Sequence, residues 1–358
     1  MQAEQWRIRK PAIHGRRGMV VAQHWQAAEA GAGLLRAGGN ALDAAVGAAF
    51  ALNAVEPWMS GLGGNGYLVY WAAAGGRAHA LNFQGVVPAA LDPADYPVDP
   101  AAPTTLMDYP GVVGNRNLYG CGAIAVPGAV AGLGAAQQRF GRLGFDRVLT
   151  PAIDLADAGL PVDWHATLQI ALHMATLRHD PSARALYLPD GCPPQPDTRL
   201  ALGALPRTLR RLAECGSEEF YRGALAERLV ADLQAGGSAI GPQDLADYRV
   251  HWHEPLHGTH RGTTVHGADR SSGAPRLLEM LAWVQRELTP AAVPDTTTYR
   301  IYAAALNAAF AAHRRRAEPT GCTSHLCAVD AEGNMAALTC TLLERFGSQV
   351  VLPGTGIV

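Results

Sequence analysis

The C-terminal part of the chain shows the alternation of apolar and polar positions that is typical of two β-strands around a tight turn. Small or apolar side chains recur at every second position before and after the short segment 330–334. A period of two places successive side chains on opposite faces of a sheet, and the Gly and Asn of this segment suit a hairpin connection. The pattern therefore predicts a β-hairpin whose first strand begins at Thr323. The alternating positions include Leu326, Ala328, Met335, Ala337 and Thr339.

The N-terminal part of the chain favours two consecutive helices. The first is predicted at 25–37, which is rich in Ala and Leu, and Gly38-Gly39 would end it. Asn40 is a good N-cap for a second helix that runs to about residue 54, with Asp43 in its first turn. Because small residues line this second helix, we expect another element to pack closely against it.

The remaining chain alternates helical and extended patterns, which predicts a mixed α+β fold. Two strands at 67–71 and 78–83 are near enough in sequence to form a second hairpin. The segment 86–119 is predicted to lie on the surface, and the Pro-rich segment 180–205 to be a connection. Further strands are predicted at 18–22, 123–127, 249–252 and 262–266, and further helices at 128–141, 145–158, 164–177, 206–215, 223–235, 242–247, 271–288 and 297–316.

The composition favours a large folded core and argues against two classes of binding partner. The chain has 358 residues, of which 48% are hydrophobic and 17% are charged, so disorder is not expected. A formal net charge of −2 argues against nucleic acid or an anionic membrane as a partner. No apolar run approaches the roughly 18 residues of a membrane span, and the polar, basic start of the chain lacks an apolar signal region. A cytoplasmic location is therefore expected.

The sequence motifs do not support a metal site or a nucleotide-binding site. The six cysteines are spread without CxxC spacing, so neither a metal site nor a disulfide framework is predicted. The glycine-rich segment 61–66 reads GxGGxG, but a dinucleotide site needs a strand before it and a helix after it. Here a predicted helix precedes the glycines and a predicted strand follows them. We therefore predict no cofactor.

Thr323, the first residue of the predicted C-terminal hairpin, has two interpretations. A hydroxyl is a weak nucleophile at neutral pH, and the nearest base for a Thr hydroxyl is the α-amine of the same residue. That amine, whose ordinary pKa is about 7.7–8.0, exists only if the Cys322–Thr323 bond is cut. Alternatively, Thr323 simply begins a β-strand, a role for which Thr is well suited. The local sequence leaves both interpretations open.

Motifs spread over most of the chain resemble those of the γ-glutamyltransferase (glutathione hydrolase) family of N-terminal-nucleophile enzymes. The strongest match surrounds Thr323-Ser324-His325 and continues through Asp330 and Gly333-Asn334 to Phe346-Gly347-Ser348. Because many segments match in the same order, chance agreement does not explain them. The other matching segments are 38–45, 56–57, 61–66, 125–128 with Gly132, 220–223, 244–248, 254–256, 271–273 and 353–357.

The resemblance implies an α+β fold of the N-terminal-nucleophile class, an αββα sandwich, made from one self-cutting precursor. Cleavage at the Cys322–Thr323 bond would give a large-subunit-like region, 1–322, and the start of a small-subunit-like region, 323–358, intertwined in one domain. Thr323 would then attack a substrate amide with its own amine as the base, and water or an acceptor amine would resolve the acyl-enzyme. Thr341 matches a second Thr of the family that hydrogen-bonds the nucleophile, and a hairpin would return it beside Thr323.

Two positions of the expected substrate site depart from the family pattern, and a third residue beside them also bears on the substrate. Gln84 stands where the family has an Arg that binds the glutamyl group, and a Gln cannot make the charged, bidentate contact of an Arg with a carboxylate. Leu343 stands where the family often has an Asn, and the adjacent Glu344 would repel a substrate carboxylate if it faced the pocket. The expected substrate is a small-molecule amide or peptide, and these changes argue against a plain γ-glutamyl compound. Because glutathione hydrolysis is the common activity of the family, γ-glutamyl transfer stays open as the alternative.

The segment 323–358 is also several times shorter than the small subunit of the family. The resemblance places the oxyanion hole, paired serines and a substrate-binding Asp in the part that has no counterpart here. We therefore expect an incomplete sandwich whose missing partner is the remainder of the small subunit. Two hypotheses follow. The chain belongs to a self-processing amide hydrolase or acyltransferase with Thr323 as the nucleophile, or it is a non-catalytic family member that acts as a scaffold or binding subunit.

Overall fold

The computed structural model describes residues 12–102, 110–290, 293–313 and 322–358. Its strands are β1 (Gly18–Val21), β2 (Asn65–Ala72), β3 (Arg77–Phe83), β4 (Leu160–Val162), β5 (Thr198–Leu200), β6 (His251–His253), β7 (Leu256–His260), β8 (Thr263–Gly267), β9 (Cys322–Asp330) and β10 (Met335–Leu343). Its helices are α1 (Trp25–Arg36), α2 (Ala41–Val55), α3 (Ala129–Phe140), α4 (Phe145–Ala158), α5 (Trp164–Leu177), α6 (Pro181–Tyr187), α7 (Leu205–Cys215), α8 (Glu219–Arg222), α9 (Ala224–Ala235), α10 (Pro242–Asp247), α11 (Ala274–Glu287) and α12 (Thr296–His313).

Helix α2 is the buried centre of the fold, and its predicted cap is confirmed. The Asn40 side chain accepts hydrogen bonds from the N–H groups of Leu42 and Asp43 at 2.9 and 3.0 Å, and the Asp43 carboxylate accepts one from the Asn40 N–H at 2.7 Å. Every residue of α2 is buried. The expected close packing is also confirmed, because a Cβ added at Gly31 of α1 would lie 2.7 Å from the carbonyl oxygen of Ala44.

The predicted strand at 123–127 is wrong. This segment forms a short turn followed by a single bridge, in which Val126 pairs with Val86. Pro127 follows directly and has no N–H to donate, so it cannot extend the ladder. The segment still matters for the architecture, since it runs beside the end of β3.

The predicted connection at 180–205 is also wrong in part, because it contains α6 and β5. Asp180 caps α6 by accepting a hydrogen bond from the Ala183 N–H at 2.7 Å. Pro181 occupies the first helical position, where its fixed φ is favourable and its missing N–H costs nothing. The predicted helix at 297–316 extends beyond His313, and its last residues, 314–316, lie outside the described residues.

Both predicted hairpins are confirmed, and they are neighbours in one six-stranded sheet with the order β1-β9-β10-β2-β3-β6. All neighbouring pairs of this sheet are antiparallel. One face carries a row of directly opposed leucines that packs against the helices and forms the core. The row consists of Leu326, Leu338, Leu68 and Leu81.

The opposite face of the same sheet is polar at the end where β9 begins. The register there places His325, Thr339, Tyr67 and Asn82 in one row across four strands. The loop that leads into α11 reaches this face, since the hydroxyl groups of Tyr67 and Ser271 lie 2.8 Å apart. The described residues thus form one large sheet with a helical core face and a polar cleft face, which is the α+β arrangement that the sequence predicts.

Asp330 ties the tip of the C-terminal hairpin to the start of α2. Its carboxylate accepts hydrogen bonds from the N–H of Ala41 at 2.9 Å, the side-chain amide of Asn334 at 2.8 Å and the N–H of Glu332 at 3.0 Å. Burial alone would raise the pKa of Asp330, but these hydrogen bonds outweigh it and hold the pKa below its ordinary value. The ionised form is therefore the one that stabilises the fold.

We expect Asp330→Ala to lower the free energy of unfolding by about 2–3 kcal/mol, because it leaves buried donors without an acceptor. Urea unfolding followed by circular dichroism measures this. The stabilisation that the Asp330 carboxylate contributes is fully present above the ordinary pKa of an Asp. It is lost as the pH falls through the lowered pKa of Asp330 in the folded state. The matched control is Glu332→Ala in the same turn, whose exposed ion pair with Arg142 contributes at most about 1 kcal/mol. Equal losses in the two variants would contradict this assignment.

Candidate active site

Thr323 and Thr341 are direct cross-strand partners at the end of the C-terminal hairpin. Residues so opposed hold their Cβ atoms about 4.5–5.5 Å apart on the same face of the sheet. Asn65 continues this row on β2, opposite Thr341. The Cys322–Thr323 peptide lies at the very start of β9, where Cys322 pairs with Leu343 across an irregularity in the register. The two threonines thus meet where β9 enters the sheet.

A cleft of about 390 Å³ opens over this row on the polar face of the sheet. Four of the residues predicted from the sequence line it together, namely Thr323, Thr341, Gln84 and Leu343. Its other walls come from β2, β10, His325 of β9, the end of β8 and the residues around the start of α11. Among the described residues, Glu344 does not line this cleft, and its carbonyl oxygen instead accepts a hydrogen bond from the N–H of Gly347 at 2.9 Å.

Strand β3 ends at Phe83, and Gln84, the next residue, reaches the cleft. Its N–H donates to Oδ1 of Asn82 at 2.9 Å, and its carbonyl oxygen accepts a hydrogen bond from the Tyr248 hydroxyl at 2.9 Å. These two contacts fix the backbone on both sides of the residue. The side chain offered to the cleft at this position is therefore a neutral amide.

Leu343 has a strained backbone, with a φ of 70° that is unusual for a bulky residue. Its N–H donates to Oγ1 of Thr341 at 2.8 Å, which leaves the Thr341 hydroxyl proton to donate elsewhere. Strained conformations cluster at functional sites, where the surrounding structure holds them in place. No local pattern in the sequence signals this conformation.

The backbone around Thr323 is held from the side by Gln23. Its side-chain amide donates to the Thr323 carbonyl oxygen at 3.1 Å, and its Oε1 accepts a hydrogen bond from the His325 N–H at 3.1 Å. His325 lies on the same face as Thr323, and its Nδ1 is 2.8 Å from Oγ1 of Thr339. Burial lowers the pKa of His325, so the neutral imidazole is the form that faces the cleft at neutral pH.

Ser324 points to the other side of the sheet, as the strand alternation requires. Its hydroxyl donates to Oε2 of Glu56 at 2.9 Å, and the Ser60 hydroxyl donates to Ser324 Oγ at 3.2 Å. Burial raises the pKa of Glu56, while the hydrogen bond from Ser324 lowers it by a smaller amount. Sequence analysis missed this buried group. The available signal was a carboxylate directly after the largely apolar helix α2.

The described ranges contain no group of three or more His, Cys, Asp or Glu side chains placed to hold a metal ion. Within those same ranges, no helix is both long and apolar enough to cross a membrane.

The family model for gamma-glutamyltranspeptidase matches residues 27–321 and 312–358. The chain therefore belongs to the gamma-glutamyltranspeptidase family, and the family predicted from the motifs is confirmed. Among similar proteins, the Acylase ACY 1 proenzyme of Pseudomonas sp. (strain SE83) is 33% identical, over 98% of this chain and 69% of the relative. The Glutathione hydrolase proenzyme of Pseudomonas aeruginosa is 30% identical, over 95% of this chain and 66% of the relative. The chain thus spans about two thirds of the length of these relatives.

Solved structures confirm the fold class. The cephalosporin acylase from Bacillus halodurans superimposes with a TM-score of 0.82 at 27% identity, over 99% of this chain and 71% of the other. The Helicobacter pylori gamma-glutamyltranspeptidase gives a TM-score of 0.76 at 26% identity, over 85% of both chains. The fold is accordingly that of the N-terminal-nucleophile hydrolases of this family.

Proposed function

We propose that this chain belongs to a self-processing amide hydrolase or acyltransferase whose nucleophile is Thr323. The observation that carries the proposal is the pairing of Thr323 and Thr341 on the floor of a cleft, at the start of a strand. The homologues support an enzyme of the hydrolase and transferase type, and both named relatives are proenzymes. A proenzyme is consistent with a nucleophile that is released by cleavage.

In the proposed processing step, Thr323 Oγ attacks the Cys322 carbonyl carbon and the Cys322–Thr323 C–N bond breaks. The proton from the hydroxyl passes to the released nitrogen, and an ester joins Cys322 to Thr323 Oγ. Water hydrolyses this ester, which leaves a carboxylate on Cys322 and a free α-amine on Thr323. The two products are the large-subunit-like region, 1–322, and the region that begins at Thr323, which requires the remainder of a small subunit as its partner.

In the proposed turnover, the Thr323 amine accepts the hydroxyl proton while Oγ attacks the carbonyl of a substrate amide. The leaving amine takes up that proton, and an ester joins the acyl group to Thr323. Water then gives hydrolysis, or an acceptor amine gives transfer. The Thr341 hydroxyl, whose oxygen already accepts a hydrogen bond from the Leu343 N–H, is placed to donate toward Thr323 Oγ.

The lining of the cleft supports an acyl group other than plain γ-glutamyl. Gln84 offers an amide where a guanidinium would make a bidentate ion pair with a carboxylate, and Leu343 adds an apolar surface. Arg276 brings a cation to the cleft from α11 instead, with its guanidinium 5.0 Å from the centroid of the Phe310 ring. In the described part of the chain, the cleft around Gln84 therefore lacks the cation that would bind the carboxylate at the amino-acid end of a γ-glutamyl substrate.

Chromogenic anilides test this substrate proposal on the purified native protein. We expect a butyryl anilide to release the aniline at least about tenfold faster than the γ-glutamyl anilide, because Gln84 cannot form the ion pair that would offset desolvation of the γ-glutamyl carboxylate, and one such ion pair contributes on the order of a factor of ten. The matched variant is Gln84→Arg, which should raise kcat/KM for the γ-glutamyl anilide alone. If the parent prefers the γ-glutamyl anilide, the substrate proposal is wrong while the nucleophile proposal stands.

A further inference from the structure

The five-residue segment 56–60, which joins α2 to the glycine-rich turn, lies beneath the ends of both strands of the C-terminal hairpin. Its backbone holds the strand that carries Thr341. The Leu342 N–H donates to the Met59 carbonyl oxygen at 3.1 Å, and the Phe346 N–H donates to the Trp58 carbonyl oxygen at 3.0 Å. The end of β10 is thereby fixed to the end of α2.

The side chains of the same segment hold the strand that carries Thr323. Glu56 and Ser60 both contact the Ser324 hydroxyl, and all three residues are buried. Ser324 follows Thr323 directly and points to the opposite face of the sheet. A hydrogen bond to Ser324 therefore fixes the peptide that joins these two residues, without entering the cleft.

A buried carboxyl group is costly unless it makes hydrogen bonds. An apolar side chain would fill the same space beneath the sheet without this cost. The carboxyl oxygen is the acceptor that determines where the Ser324 hydroxyl lies, and a misplacement of about 1 Å near a reacting group costs on the order of 100-fold in rate. Glu56 thus gives the start of β9 one defined position relative to β10.

We propose that Glu56 is a positioning residue, which acts through Ser324 to set the position of Thr323 relative to Thr341. This inference rests on the proposed function, since it assigns Glu56 a role toward the Thr323 nucleophile. Glu56 does not touch the substrate. Its effect is therefore on the rate of the chemical steps, both cleavage of the Cys322–Thr323 bond and turnover, and not on substrate binding.

The test compares Glu56→Ala, Glu56→Gln, Ser324→Ala and the double alanine variant of the native protein. We expect Glu56→Ala to lower kcat by about 10- to 100-fold with KM within about twofold of the parent. Glu56→Gln keeps an acceptor oxygen and should restore kcat to within about threefold. The double variant should be no slower than Ser324→Ala alone, because both changes remove one interaction. Hydrogen exchange of peptide 323–328 should be faster in Glu56→Ala.

The matched control is Asn53→Ala. Asn53 is also buried near the end of α2, but its side-chain amide donates to the carbonyl oxygens of Ala49 and Phe50 within its own helix. This variant should lower the unfolding temperature and leave kcat unchanged. Should Glu56→Ala fail to fold, Ser324→Ala and Glu56→Gln still test the proposal.

Three results would overturn this inference. They are a parental kcat in both Glu56→Ala and Ser324→Ala, additive losses in the double variant, and a change confined to KM. Each of them leaves the proposed function intact if Thr323→Ala is inactive. By contrast, a parent that is neither cleaved nor active removes the proposed function, and the positioning role with it.

Discussion

Thr323→Ala is expected to abolish both cleavage of the Cys322–Thr323 bond and turnover of amide substrates. The substitution removes the hydroxyl that attacks in both steps, and without cleavage the α-amine that serves as base is never released. Loss of a covalent nucleophile costs on the order of 10⁴-fold or more in kcat. Electrophoresis and mass measurement follow cleavage, and aniline release follows turnover.

The control for this variant is Thr323→Ser, which keeps a hydroxyl and an α-amine at the same position. It should be cleaved and retain measurable turnover, although more slowly than the parent. If Thr323→Ala is processed and turns over like the parent, Thr323 is only the first residue of a strand. The non-catalytic scaffold hypothesis would then be the better account of the chain.

Thr341→Val is expected to lower kcat by about 10- to 100-fold. Valine has nearly the same shape as threonine, so the strand is preserved while the hydroxyl opposite Thr323 is lost. A factor of ten corresponds to about 1.4 kcal/mol of activation free energy, which is the size of one hydrogen bond near a reacting oxygen. The Leu343 N–H also loses its acceptor, so the strained turn after β10 should become less stable.

Steady-state kinetics on Thr341→Ser separates these two effects. Serine restores the hydroxyl and should recover most of kcat, whereas a purely steric role for Thr341 would leave Thr341→Val as fast as the parent. An unchanged kcat in Thr341→Val, with a raised KM, would instead show that Thr341 contributes to substrate binding. The hydrogen bond to the nucleophile would then have to be abandoned.

Local patterns in the sequence predicted the parts of the fold that depend on near neighbours. The alternation around 330–334 was enough for the C-terminal hairpin, and Asn40 with Asp43 was enough for the start of α2. The hairpin also brings Thr341 opposite Thr323, because their spacing follows from one turn and two strands of equal length. The prolines of 180–205 predicted a connection, which was wrong in part because Pro181 begins helix α6.

The interactions that join distant segments could not be predicted in this way. Glu56 and Ser324 are 268 positions apart, and Asp330 lies 289 positions from Ala41. Both contacts depend on the packing of α2 under the sheet, which no local period encodes. Family resemblance pointed to Gln84 and Leu343, yet the neighbouring Glu344 lies outside the lining of the cleft because the chain turns at the strained Leu343.

Intact mass measurement with N-terminal sequencing of the purified native protein tests the central claim most directly. The account predicts two polypeptides, one that ends at Cys322 and one whose N-terminal residue is Thr323. Cleavage at that bond and no other would show that the amine required for the proposed mechanism is formed. A single polypeptide that runs unbroken through the Cys322–Thr323 bond would contradict the account and leave the family and the fold as the conclusions that stand.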